Sequence, residues 1–280
     1  MIHVKKAFVI GHPIKHSRSP LIHRHWLDRY GIAGSYEPIE VAPDELAGFL
    51  DRIRAGEFVG GNVTVPHKEE AWRLVDFRDL DTDHLKAFNT LSQLPAADGI
   101  AIYGQNTDLY GFLANLDQQA PGWDAGVENA IVLGAGGAAR AVAAALALRV
   151  SGRVRVLNRT AARAEALAED LPGGIEGYGL DRFATLAPDS QLLVNTTTIG
   201  MHGTRFDDLP LDRLPKTALV TDIVYVPLLT PLLADARHLG LRTVDGLGML
   251  LHQAVPGFEA WFGTRPEVTP ELRRIIEATL

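Results

Sequence analysis

Three short segments in the N-terminal part of the chain are polar where their surroundings are apolar. They are Ser17-Arg18-Ser19, Asn62-Val63-Thr64-Val65-Pro66-His67-Lys68 and Gly104-Gln105-Asn106-Thr107-Asp108. Each falls at the end of a strand-like run, which is where ligands bind in an α/β sheet. Neutral hydroxyls and amides gathered there suit a small polyhydroxylated substrate. Lys68 and Asp108 add an ionisable pair. A lysine beside a carboxylate can orient a carbonyl and stabilise the charge that develops as it becomes an alcohol. Singly, each segment also has a plain structural reading. Ser17-Arg18-Ser19-Pro20 can be a helix cap, 62–66 a strand end with a turn, Asp108 a charge at a helix N-terminus and Lys68 a surface lysine.

A second kind of chemistry is written into Gly134-Ala135-Gly136-Gly137-Ala138-Ala139. Gly134-x-Gly136-x-x-Ala139 fits the dinucleotide fingerprint, and it follows an apolar strand pattern and opens a helical one. Gly134 permits the tight turn, Gly136 lets a pyrophosphate approach the backbone, and Ala139 allows helix to pack on strand. The helix N-terminus offers free N–H groups to phosphate. At the end of the next strand, an NAD site places an acidic residue on the ribose. This chain has Asn158-Arg159-Thr160 there, with Arg163 close behind. Arginine suits a dianionic 2′-phosphate, so the expected cofactor is NADP(H).

These residues need elements to hold them. Hydrophobic spacing predicts strands over 7–10, 36–41 and 58–65, with Pro38 arguing for an edge position. A helix capped by Ser19, with Pro20 at its first position, should end at Gly31. A second helix starts at Pro43-Asp44-Glu45 and buries Leu46, Phe49, Leu50 and Ile53, an i, i+3, i+4, i+7 face. Pro66 is expected to open the next. A second series has strands over 130–133, 154–157, 191–195 and 219–224, and helices over 140–148, 160–170, 246–262 and 271–278. Such alternation predicts βα units and largely parallel sheets. The segment 119–126 has linker composition.

The chain has 280 residues, 46% of them hydrophobic, and a net charge of −7. An acidic chain without a Lys/Arg run is a poor nucleic-acid or anionic-membrane binder. With no cysteine, disulfides, thiol nucleophiles and Cys-based zinc sites are excluded. No apolar run reaches the length of a signal-peptide core or a membrane span, so a soluble cytoplasmic protein is expected. His12 and His16 lack a third ligand, and no metal is expected.

Taken together, the motifs resemble those of the shikimate dehydrogenases over nearly the whole length. The family's S-x-S is Ser17-Arg18-Ser19, and its N-V-T-x-P-x-K runs from Asn62 to Lys68. Its N-T is Asn89-Thr90 and its N-T-D is Asn106-Thr107-Asp108. The glycine loop runs from Gly134 to Arg140, and N-R-T is Asn158-Arg159-Thr160. N-T-T-x-x-G-M runs from Asn195 to Met201 and D-x-x-Y-x-P from Asp222 to Pro227. Near the end stand Asp245-Gly246, Met249-Leu250 and Gln253-Ala254.

The resemblance implies reversible NADPH-dependent reduction of 3-dehydroshikimate to shikimate, a step of aromatic amino-acid biosynthesis. It implies Lys68 and Asp108 as the catalytic pair. Ser17 and Ser19 would bind the substrate carboxylate with help from Tyr225, and Thr64, Asn89 and Gln253 the ring hydroxyls. Gly134 to Ala139, Asn158, Arg159, Thr160, Arg163, Thr196, Gly246 and Met249 would bind the cofactor. Two departures stand out: Arg24 follows His23 where the family has asparagine, and Lys86 replaces a usual glycine. A glycine there with positive φ would leave the Asn89 loop strained or shifted when replaced.

The expected architecture is an α/β substrate domain over 1–113 plus 246–280, with the C-terminal helices packing back on it. A Rossmann-type domain spans 114–245. Quinate or quinate/shikimate dehydrogenase is the alternative activity. A non-catalytic NADP-binding regulator is disfavoured because Lys68 and Asp108 are both present, and a tetrahydrofolate-linked dehydrogenase because of the substrate motifs. A homodimer is the one protein partner left open.

Overall fold

The computed structural model describes residues 4–280. They divide into two compact units, one running to Thr107 and completed by Gln253–Thr279, the other spanning Asp108–His252.

In the first unit, β1 (Lys5–Gly11) leads through α1 (Ser19–Tyr30) to β2 (Gly34–Glu40). Then come α2 (Leu46–Arg54), β3 (Gly60–Val63), α3 (Lys68–Leu74), β4 (Phe77–Arg78), β5 (Thr90–Ala96) and β6 (Gly99–Gln105). The sheet order is β2-β1-β3-β5-β6-β4. β2, the strand carrying Pro38, lies at the edge, where a missing N–H breaks no ladder. β1 pairs parallel with β2 and β3. β5 is antiparallel to β3 and β6, because β5 and β6 form a hairpin closed by Ala97-Asp98, with Gly99 at φ +130°. No helix intervenes there, so the sheet is mixed where the sequence suggested parallel pairing. The expected face of α2 is buried: Leu46, Phe49, Leu50 and Ile53 join Phe8 and Phe58 in the core. The Phe8 ring meets Phe49 edge-on at 4.9 Å. Each such side chain contributes about 1.5–3 kcal/mol of burial.

Two helix starts differ from the sequence reading. Ser19 is the first helical residue and Arg18 the cap, while the Ser19 N–H donates to Ser17 Oγ at 3.3 Å. Pro66 lies in a turn closed by His67 N–H to the Thr64 carbonyl (2.9 Å), so α3 opens at Lys68 instead.

The second unit begins with α4 (Asp108–Gln119), followed by β7 (Asn129–Leu133), α5 (Gly137–Ala147), β8 (Arg153–Asn158), α6 (Ala161–Asp170) and β9 (Ile175–Gly179). It continues with α7 (Phe183–Leu186), β10 (Leu192–Asn195), β11 (Ile199–His202), β12 (Leu219–Asp222), α8 (Pro231–His238) and β13 (Arg242–Val244). Its sheet is wholly parallel, in the order β13-β12-β10-β7-β8-β9. The order reverses between β7 and β10, the switch point at which such sheets bind ligands.

α9 (Leu247–Phe262) starts in the second unit, and its residues from Gln253 belong to the first, as does α10 (Pro270–Glu277). The units thus divide at 107/108 and 252/253, against the 113/114 and 245/246 read from sequence. α4 packs on α5, which draws it into the second unit. Phe258 and Trp261 stack among His23, Trp26 and Tyr36, which fixes the later turns of α9 to the first. The segment 119–126 lies inside the second unit as turns, with Gly122 and Gly126 at positive φ. Arg149 pins it, bridging Asp117 (2.9 Å) and Asp124 (2.7 Å) beside Trp123. Among the described residues no helix is long and apolar enough to cross a membrane.

Candidate active site

In the first unit the polar motif residues converge at the strand ends. Asn62, on β3, is buried and donates to the Asn89 carbonyl and Thr90 Oγ1, both at 3.1 Å. Its Oδ1 accepts from the Tyr36 hydroxyl at 2.6 Å. Asn89 Oδ1 accepts from the Thr107 N–H at 2.7 Å and the Thr107 hydroxyl at 3.1 Å, and its Nδ2 donates to Gln253 Oε1 at 3.4 Å. Asn106 Nδ2 donates to the Ala87 carbonyl at 2.8 Å. Neutral polar groups buried this deeply would be unfavourable unless paired, and they pair with one another. The network leaves the chain at Thr107, one residue before Asp108 opens α4. Lys68 opens α3, with its carbonyl held by Phe88 N–H at 2.9 Å.

Of the expected substrate residues, Ser17, Ser19, Thr64, Lys68, Asn89 and Gln253 belong to the first unit. Asp108 and Tyr225 belong to the second. Ser19 is buried; Burial pushes the Tyr36 phenol well above its usual range, and a hydrogen bond from Ser19 opposes this. Tyr36 was not among the expected residues. The signal for it was an aromatic with a polar tip at an inward position of an edge strand. Its ring stacks on His23 at 3.9 Å. His23 is fully buried, neither ring nitrogen has a partner in hydrogen-bonding geometry, and burial lowers its pKa to about 3.

In the second unit, Gly134 follows β7 with φ +104°, and a Cβ there would lie 3.0 Å from Thr196 Oγ1. Thr196 donates its hydroxyl to the Leu133 carbonyl at 2.6 Å, fixing the turn from the adjacent strand. Gly136 caps α5 in an extended conformation, and Cβ atoms at Gly136 or Gly137 would point into open space. Nothing in the chain itself fills that cradle, so bare backbone faces outward at a helix N-terminus. Ala138 follows on α5, and Ala139 is fully buried against the sheet. A hollow of about 680 Å³ opens beside Gly134, lined by Asn158, Arg159, Thr160, Arg163 and Thr197 among others. Asn158 Nδ2 donates to the Thr160 carbonyl at 3.0 Å, and Thr160 caps α6.

Asp222 ends β12, fully buried. It accepts from Asn195 Nδ2 (2.9 Å), the Val224 N–H (3.0 Å) and the Thr230 hydroxyl (2.7 Å). Burial raises its pKa to about 6 against those three bonds. Tyr225 follows in the same turn. Gly246 precedes α9, and a Cβ there would meet the Asp222 carbonyl at 2.5 Å, so only glycine fits. The Met249 N–H closes onto the Gly246 carbonyl at 3.1 Å.

Models of known families match both units. Residues 9–91 match the shikimate dehydrogenase substrate binding domain, 117–248 the shikimate / quinate 5-dehydrogenase family, and 246–270 the shikimate 5′-dehydrogenase C-terminal domain. The chain belongs to the shikimate dehydrogenase family. Family members include the shikimate dehydrogenase (NADP(+)) of Chelativorans sp. (strain BNC1), 54% identical over 98% of this chain and 96% of its own. That of Mesorhizobium japonicum is 55% identical over 99% and 97%. Among solved structures, the Thermus thermophilus shikimate 5-dehydrogenase in complex with NADP(H) and shikimate is 35% identical, with a TM-score of 0.83 over 99% of both chains. The quinate dehydrogenase of Corynebacterium glutamicum in complex with NAD is 29% identical, with a TM-score of 0.88 over 99% of both. In this shikimate dehydrogenase family chain, the open cradle at Gly136 and Gly137 and the arginine-lined hollow fit a phosphorylated dinucleotide.

Proposed function

We propose that the protein catalyses the reversible reduction of 3-dehydroshikimate to shikimate with NADPH. The identity of 54% over 98% of the chain to a relative named shikimate dehydrogenase (NADP(+)) carries this reading. Buried amides and hydroxyls around Asn89 and Gln253 support it, since they suit a ring bearing several hydroxyls.

Ser17 and Ser19 hold the substrate carboxylate, with Tyr225 assisting. Thr64, Asn89 and Gln253 hold ring hydroxyls. Lys68 and Asp108 are the catalytic pair. Acting jointly, the two stabilise the alkoxide charge and supply the proton that makes the alcohol. The backbone from Gly134 to Ala139 holds the pyrophosphate. Asn158, Arg159, Thr160 and Arg163 hold the 2′-phosphate, and Thr196, Gly246 and Met249 border the nicotinamide half. When bound, the coenzyme supplies the hydride. We read the first unit as the substrate domain, the second as the cofactor domain, and the protein as cytoplasmic.

The test is direct. Shikimate and NADP+ mixed with the protein should generate reduced coenzyme, and quinate with NAD+ should do so poorly. A faster reaction with quinate would move the assignment to the alternative activity. Light scattering decides between monomer and homodimer.

A further inference from the structure

Asn195 makes a closed set of hydrogen bonds in the second unit. Its Oδ1 accepts from the Thr197 N–H (3.0 Å) and hydroxyl (2.8 Å), and its Nδ2 donates to the Ile199 carbonyl (2.7 Å) and to Asp222. The Thr197 hydroxyl in turn accepts from the Ile199 N–H at 3.0 Å. One amide thus grips both ends of the segment from Thr197 to Ile199, which forms a wall of the arginine-lined hollow. The grip works only with the amide in one orientation. Flipped, its oxygen would face the Asp222 carboxylate and its N–H groups would face the Thr197 donors, leaving buried groups unpaired. The carboxylate itself is held by Val224 N–H and the Thr230 hydroxyl, so it cannot swing away.

We propose that Asp222 is a positioning residue for the coenzyme: by fixing the orientation of Asn195 it sets the Thr197-to-Ile199 wall against which NADP+ binds. The inference rests on the reading that this hollow takes NADP+. Asp222 itself touches neither substrate nor coenzyme in this role.

The experiment is calorimetric titration of the purified full chain with NADP+ alone. Asp222→Ala should weaken NADP+ about tenfold, the loss of one charge-assisted orienting bond. Asp222→Asn should recover to within about threefold, because its amide oxygen still accepts from Asn195 and its N–H₂ can donate to Thr230. Leu193→Ala, a cavity in the same sheet, is the comparison; it should lower thermal stability while leaving NADP+ affinity within about twofold. If Asp222→Ala does not fold, Asp222→Ser replaces it, since its hydroxyl is too short to reach Asn195. Affinity unchanged in the Ala or Ser variant, or an equal loss in Leu193→Ala, overturns the proposal. Wild-type protein that binds no NADP+ overturns the underlying reading instead, and is recognised before any variant is compared.

Discussion

The Tyr36 hydroxyl donates to Asn62 Oδ1 at 2.6 Å, wholly inside the first unit, and so joins the edge strand to the asparagine that supports Asn89 and Thr90. Tyr36→Phe keeps the ring on His23 and removes only that donor. A buried acceptor left short of a partner costs about 1–3 kcal/mol. The urea midpoint of Tyr36→Phe should fall accordingly, and its KM for shikimate should rise several-fold while NADP+ affinity stays put. An unchanged midpoint would show that the bond contributes little.

Lys68→Met keeps most of the length of the side chain and deletes the ammonium. Turnover should fall by about two to four orders of magnitude, the worth of a positioned proton donor. Circular dichroism and NADP+ titration should match wild type. A variant that turns over at close to the normal rate removes Lys68 from the chemistry.

Arg159 lines the hollow at the end of β8, where an NAD site would carry an acid. Arg159→Asp should weaken NADP+ by about tenfold to a hundredfold, since a charge-assisted phosphate bond becomes a repulsion. NADH-linked activity should hold or improve. Steady-state kinetics with both coenzymes decides it, and an unaltered preference would place the phosphate elsewhere.

His23 has a folded-state pKa lowered from 6.5 to about 3 by burial, so it stays neutral while the unfolded chain takes up a proton. Its stability contribution is present above pH 6.5 and is lost as pH falls toward about 3. Asp222 runs the other way: its pKa is raised from 3.8 to about 6, so its contribution is present below 3.8 and lost as pH rises through about 6. The two slopes oppose where their windows overlap. Replacing His23 with Leu removes one of them. Relative to wild type, His23→Leu should gain about 1.4 kcal/mol per pH unit below pH 6.5. Urea titrations followed by tryptophan emission would report it, since Trp26, Trp72 and Trp261 all lie in the first unit. Parallel pH profiles for the two proteins would rule the histidine out as the source.

Much of this was legible in the residue order. The α2 face and the edge position of β2 follow from apolar period and proline chemistry, and the turn at Gly134 from the glycine spacing. The hairpin at Ala97-Asp98 was missed although Asp98-Gly99 is a turn signal, because no strand was read on either side of it. Nor was the division of α9, which depends on which aromatic rings its later turns meet. Lys86 is an intermediate case. The family pattern of glycine implied a left-handed backbone, and Lys86 adopts it at φ +53°. The conformation, unfavourable by about 1–2 kcal/mol for a residue with a Cβ, is retained, and Asn89 still reaches Thr107 and Gln253. Tyr36 and Asp222 were missed as supports because their importance lies in what they hold, and a single sequence does not display partners.

The first unit is made of two stretches separated by the whole of the second. Trp261 donates to the Leu91 carbonyl at 2.8 Å, and Arg18 to the Thr279 carbonyl at 2.7 Å, so the unit is closed by residues that follow the second unit in sequence. During synthesis, the continuous stretch from Asp108 to His252 can therefore complete itself first. The strands made earliest must wait, with apolar surface uncovered, until residues 253–279 have been made.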